Sequence, residues 1–130
     1  MKEDQAPPSI AEENKDQIKI PDKINNINDN ILNIDSGEFD FTFYKWPDAK
    51  HMLDSKGDRR YSKYIYFNKK FKNKPKVIVS LKGIDAANDK YIRINLFAKN
   101  ISNNGFIIEC LTWDDSKNYA VYVSWIAIGN

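Results

Sequence analysis

At 130 residues, with 42% hydrophobic and 13% aromatic content, the chain reads as one domain plus a short extension, able to fold without disulfides. The net charge of +2 is uneven: residues 1–40 hold 4 Lys and 10 Asp/Glu, net −6, and residues 41–130 hold 16 Lys/Arg and 8 Asp/Glu, net +8. A single cysteine, Cys110, excludes an intrachain disulfide and any multi-cysteine metal site, and no apolar run is long enough to span a membrane.

Residues 1–16 are polar, contain Pro7–Pro8 and are expected to form a loose tail. They lack the apolar centre of a secretion signal. Two expectations for location follow: the cytoplasm, or the cell surface by a non-classical export route. In residues 17–36 isoleucines fall at 20, 24, 27, 31 and 34, the a/d spacing of a coiled coil. Pro21 suits a first helical turn and Gly37 a stop. Isoleucine at both a and d favours three or more strands, although so short a helix holds no oligomer alone. The segment is therefore either a short amphipathic helix packed on its own domain or a trimeric stalk.

Residues 37–130 form the head. Glu38–Phe43 alternates, with Phe39, Phe41 and Phe43 inward. Residues 45–60 make a long polar loop, and loops of that length often carry function. Tyr61–Phe67 is a second strand, with Ile65 and Phe67 inward. The following KKFKNKPK has five lysines in eight residues. It is either a patch for nucleic acid or an anionic surface, or a solvated edge guarded by Lys and Pro75. Little aromatic or Arg content accompanies it, so the solvated edge is preferred and no nucleic-acid partner is expected.

Lys76–Leu81 is a third strand, and Gly83–Lys90 a loop. Tyr91–Ala98 is a fourth strand, with Ile92, Ile94, Leu96 and Ala98 on its apolar face and Arg93 projecting from the other. Asn100-Ile101-Ser102 is a glycosylation sequon, usable only on a secretory route. The last 26 residues, GFIIECLTWDDSKNYAVYVSWIAIGN, form a hairpin around a polar loop, WDDSKN. Both faces of this hairpin carry apolar residues, which a sheet wet on one side would not do. One face should fill the chain's own core and the other should be covered by further copies. Six strands without a helix in the head predict an antiparallel β-sandwich.

Little here suggests catalysis. His51 has no partnered nucleophile nearby, Cys110 lies along an apolar face, and the adjacent Asp114 and Asp115 lack the further acids of a cation site. No enzyme activity and no cofactor are expected.

The segments KPKVIVSLKGID, YIRINLFAKNIS, NGFIIECLTWDDSKNY and VYVSWIAIG resemble the H-type lectin domain, the family of snail agglutinins and the C-terminal domains of slime-mould discoidins. The likeness runs from about Tyr61 to Ile128, and more loosely back to Phe39. It implies a six-stranded sandwich that assembles as a homotrimer, or as a pair of such trimers, with metal-independent galactose or N-acetylgalactosamine sites at subunit boundaries. The family's arginine, which hydrogen-bonds sugar hydroxyls, falls on Arg93. Its tryptophan falls on Trp113, and its sugar-packing tyrosine on Tyr119. Asp114 stands where the snail protein has a histidine that contacts the N-acetyl group, which leaves the choice between the two sugars open. The family's loop acid falls among Asp54, Gly57 and Asp58, and Asp58 beside Gly57 is the assignment made here. The snail protein's disulfide would pair the positions of Cys110 and Lys72. With lysine there, Cys110 should be a buried thiol.

These residue types suit a hexose. A guanidinium donates to hydroxyls, a carboxylate accepts from them, and an aromatic face covers the C–H patch. Each also has a structural alternative: a packed strand-end for Trp113, an ion pair with Asp89 or Asp114 for Arg93, a core rim for Tyr119. One such site should bind at about mM to tens of μM. Three on one body raise apparent affinity by roughly 10²–10⁴ on a dense glycan surface, as in cell adhesion.

Overall fold

In the computed structural model, which describes residues 31–130, the alternation of the head resolves into six strands. They are β1 (Asn33–Thr42), β2 (Arg59–Tyr66), β3 (Lys76–Ala86), β4 (Ile94–Lys99), β5 (Gly105–Thr112) and β6 (Asn118–Gly129). One sheet has the order β1-β6-β3 and the other β2-β5-β4, with every neighbouring pair antiparallel. This is the predicted six-stranded antiparallel sandwich. The last two strands do not form the expected hairpin: β5 and β6 lie in different sheets and do not pair with each other. Each is the central strand of its own sheet, paired on both edges, which explains their density of apolar residues.

The core lies between the sheets. Phe41, Phe43, Phe106, Ile108, Cys110, Val121, Val123 and Ala127 are fully buried there. Phe106 meets Trp125 edge-on at 5.4 Å between ring centres, an arrangement aromatic quadrupoles prefer. A 3-10 turn, Pro47–Leu53, crosses the long polar loop and sends Ala49 and Met52 into this core. No helix among the described residues is long and apolar enough to cross a membrane.

Three boundaries differ from the sequence expectation. First, Asn33–Ser36, assigned to the end of a helix, are strand, and Ile34 pairs with Ile128. The partner strand β6 is twelve residues long and would otherwise leave its backbone groups unpaired there. Gly37 is not a helix stop. A Cβ at this position would lie 2.8 Å from the Trp125 ring, so the strand passes the indole only as glycine. The tail and the rest of the expected helix, residues 1–30, lie outside the described residues. Second, β3 runs on to Ala86 through irregularities at Leu81/Gly83 and Asp85/Ala86, absorbing part of the expected loop. Third, β4 begins at Ile94, and Tyr91 and Ile92 are exposed ahead of it.

The outward faces differ in character. On the β1-β6-β3 sheet, Ile126 and Ile128 are half-buried, and Ile34 and Ile78 beside them are exposed. On the other sheet, Glu109 is buried although it faces outward. It accepts hydrogen bonds from Arg60 Nη1 (2.8 Å), Ser62 Oγ (2.9 Å) and Lys99 Nζ (3.2 Å). Burial raises its pKa, but these three donors outweigh it and hold the carboxyl below its ordinary value.

Candidate functional site

The register of β2-β5-β4 brings three chain segments to one end of the sandwich. Arg59 and Ile94 both pair with Thr112. One residue further on, Asp58, Trp113 and Arg93 come side by side across that end. Three residues separated by up to 55 positions in sequence thus meet at one rim because of strand pairing alone.

Arg93 is held from several sides. Its Nη1 donates to Asp115 Oδ1 at 2.7 Å, and Nη2 lies 3.7 Å from Asp114 Oδ2. The guanidinium sits 5.2 Å from the centre of the Tyr91 ring. Its backbone N–H donates to Ser116 Oγ, and its carbonyl accepts from Thr112 Oγ1 at 2.7 Å. The ion pair anticipated with Asp89 or Asp114 is made mainly with Asp115. Because the Arg93 side chain is only 26% exposed, this pair restrains it more than a surface pair would. Asn88, Asp89, Lys90, Tyr91 and Asp115 line an open hollow of about 330 Å³ beside it.

The loop from Trp113 to Lys117 is braced from below. The buried Asn118 amide donates to Thr112 Oγ1 (3.1 Å) and Ser116 Oγ (3.3 Å), tying together the two hydroxyls that hold the Arg93 backbone. Asn118 Oδ1 is buried with no partner among the described residues. Asp114 adopts φ +57°, a left-handed conformation that aspartate tolerates better than most residues. Its carboxylate stands in solvent.

Arg59 escaped the sequence reading. It is only 5% exposed, and it donates four hydrogen bonds to backbone carbonyls: Nε to Gly57 (2.9 Å), Nη1 to Met52 (3.1 Å) and Ser116 (2.9 Å), and Nη2 to Asp114 (2.8 Å). One guanidinium therefore fastens the 3-10 turn, the strand approach and the 113–117 loop to one another. Burial lowers its pKa, and Asp54, Asp115 and Asp58 pull it back up. One signal was available. Counting back by twos from the inward Ile65 through Tyr61 reaches Arg59, so alternation alone places it inside.

Among the loop candidates, Asp58 is exposed beside Trp113, and Gly57 takes φ +69° with open space where a Cβ would go. Asp54 ends the 3-10 turn. Tyr119 is the second residue of β6, on the other sheet, just after the 113–117 loop. It is half-buried, its carbonyl accepts from Phe43 N–H, and Lys117 Nζ lies 5.8 Å from its ring centre. Among the described residues no hydrogen bond joins it to Arg93. Within one chain, Arg93, Trp113, Asp114 and Asp58 thus come from segments that end at one rim, and Tyr119 follows the same loop on the other sheet. His51 Nε2 is engaged with the Arg60 carbonyl at 2.7 Å. Cys110 is fully buried, and burial pushes its thiol up to about 12.

A six-stranded sandwich hosts many functions, so the class is read from the sequence match: a carbohydrate-binding lectin domain. Residues 62–128, just over half of the sequence, match the H-type lectin domain, and the chain belongs to that family. A curated relative, the ATP synthase subunits region ORF 7 protein of Fuscovulum blasticum, is 32% identical over 88 residues, 68% of this chain and 76% of the relative. Recombinant discoidin II of Dictyostelium discoideum superposes with a TM-score of 0.65 at 21% identity over 75% of this chain. The wild-type discoidin II structure gives the same TM-score and identity over 77%. The chain spans only 37–38% of the discoidin II chain, and at this identity the likeness is one of fold.

Proposed function

We propose that this chain is a non-enzymatic, metal-independent lectin for galactose and N-acetylgalactosamine-type glycans, acting as a homotrimer. Family membership supports carbohydrate binding. The finer reading rests on one observation: Asp58, Trp113 and Arg93 share a rim, with the guanidinium restrained and partly exposed. In this reading Arg93 donates to sugar hydroxyls, Asp58 beside Gly57 accepts from them, and Trp113 covers the C–H patch. Asp114 faces the position of the N-acetyl group. Tyr119, which follows the same loop, packs on the sugar in this reading, and a trimer covering the isoleucine strip on β1, β3 and β6 would bring copies together so that the sites lie at subunit boundaries.

One observation favours a rival, a trimeric attachment module without a sugar ligand: the Arg93 guanidinium is already engaged by Asp115. Hapten inhibition on a galactose and N-acetylgalactosamine surface, in chelator, separates the two. The lectin reading expects binding that chelator leaves intact and that Arg93→Ala abolishes while the oligomeric mass is unchanged. No glycan binding at any surface density would support the attachment module.

A further inference from the structure

We propose that the opposite end of the sandwich is a docking surface for an anionic lipid bilayer, held through Lys69, Lys70, Lys72, Lys74 and Lys76. The end is well defined. Asn33 pairs with Gly129, Lys76 with Ile128, and Tyr66 with Gly105, so the β2–β3 connection lies at the pole away from Arg93. The length of β6 puts roughly 40 Å between the two ends.

Three features distinguish this pole from a solvated turn. The connection is anchored: Phe71 is 3% exposed and packs on Phe67, Phe71 N–H donates to Asn103 O, and the N–H groups of Lys72 and Asn73 donate to Asn130 O. The ammonium groups are uncompensated. All five side chains are exposed, and none forms an ion pair among the described residues. Asp35 lines one hollow with Lys69 and Lys70 but forms no ion pair with them; it accepts from the N–H groups of Ser36 and Asn68 and from the Asn68 amide, and its single charge leaves five lysines in large excess. The chemistry is also that of point charges. No arginine fork is present in the connection to read a base edge, and both of its phenylalanines are buried and cannot stack on bases. Lysine ammonium groups near a sheet of lipid phosphates gain electrostatic attraction without needing specific geometry. Tyr66, exposed at the same end of β2, suits the headgroup level.

The test is co-sedimentation of the full chain with sugar-free vesicles, phosphatidylcholine alone against phosphatidylcholine mixed with phosphatidylglycerol, at low and high salt. The expected result is partitioning onto the mixed vesicles only, weakened by salt, and lowered on the order of a hundredfold by Lys69→Gln/Lys70→Gln/Lys72→Gln, at roughly fivefold per lysine. Circular dichroism confirms that the variant is folded. Equal partitioning onto both vesicles, or no change in the variant, would overturn the proposal. So would inhibition by free galactose, which would place binding at the other end. Retention of duplex DNA without retention of vesicles would make the pole a nucleic-acid surface and equally refute the lipid assignment.

Discussion

Arg59 gives the sharpest test of how the rim is built. Arg59→Ala removes four charge-assisted hydrogen bonds at once. At about 1.5–3 kcal/mol each, a simple sum of about 6–12 kcal/mol is comparable to the whole stability of a small domain. The sum overstates the effect, because the Gly57 and Asp114 bonds are only part-buried and water replaces them. The Met52 and Ser116 carbonyls are in buried bonds and stay unsatisfied. Counting those two gives a loss of about 3–6 kcal/mol, which lowers the melting temperature by on the order of 20–30 °C for a domain of this size. Arg59→Lys keeps the charge but not the fork, so it should recover less than half of this loss. Urea titration of the three proteins measures the stability term. Glycan affinity of the lysine variant, measured well below its melting point, reads whether the 113–117 loop still holds its shape. An alanine variant within about 1 kcal/mol of the parent would show that the loops stand without the guanidinium, and the account of the rim would fail.

Gly37→Ala should cost about 1–3 kcal/mol, because its Cβ would press on a Trp125 ring that is itself buried; a shift in urea midpoint checks this. Glu109→Gln should cost about 1–3 kcal/mol at neutral pH by weakening bonds from Arg60, Ser62 and Lys99. Because the folded carboxyl titrates below its ordinary value of 4.5, the contribution is present above that pH and lost as pH falls through the folded value. The gap between parent and variant should therefore close on acidification from pH 5 downward, and a gap that widens there would contradict the assignment. Cys110 should resist a thiol reagent at pH 8 in the folded protein and react at once in denaturant, since burial keeps it protonated. Labelling of the native chain at a free-thiol rate would show that the core opens there.

The strands rich in alternating aromatic and β-branched residues were legible, because a period of two over six or more residues has one physical reading. Phe39–Phe43 and the two terminal strands are the examples, and Trp113 could be placed at a strand end from them, whereas Arg93, read as lying inside the fourth strand, stands just ahead of it. What failed to show was set by partners distant in sequence. The isoleucine series running into Ile34 has helical spacing, but the unpaired length of β6 decides its last member. Gly37 looks like a helix terminator until the indole of Trp125, 88 positions on, is beside it. Arg59 sits in a run, GDRR, that reads as solvated surface; strand alternation points it inward, but the carbonyls of three folded segments that satisfy its guanidinium there are not visible in the sequence. Asp115 was passed over for Asp114 because the loop's left-handed residue turns the two side chains differently.

The way Asp114 is anchored has an evolutionary consequence. Its peptide oxygen, not its carboxylate, is what Arg59 grips, and its carboxylate is 68% exposed. The side chain at this position can therefore be exchanged with little penalty to the framework, provided the replacement accepts the left-handed backbone. Asparagine and glycine meet that condition, and β-branched residues do not. The side chain at this position can drift by point substitution while the scaffold below is inherited unchanged.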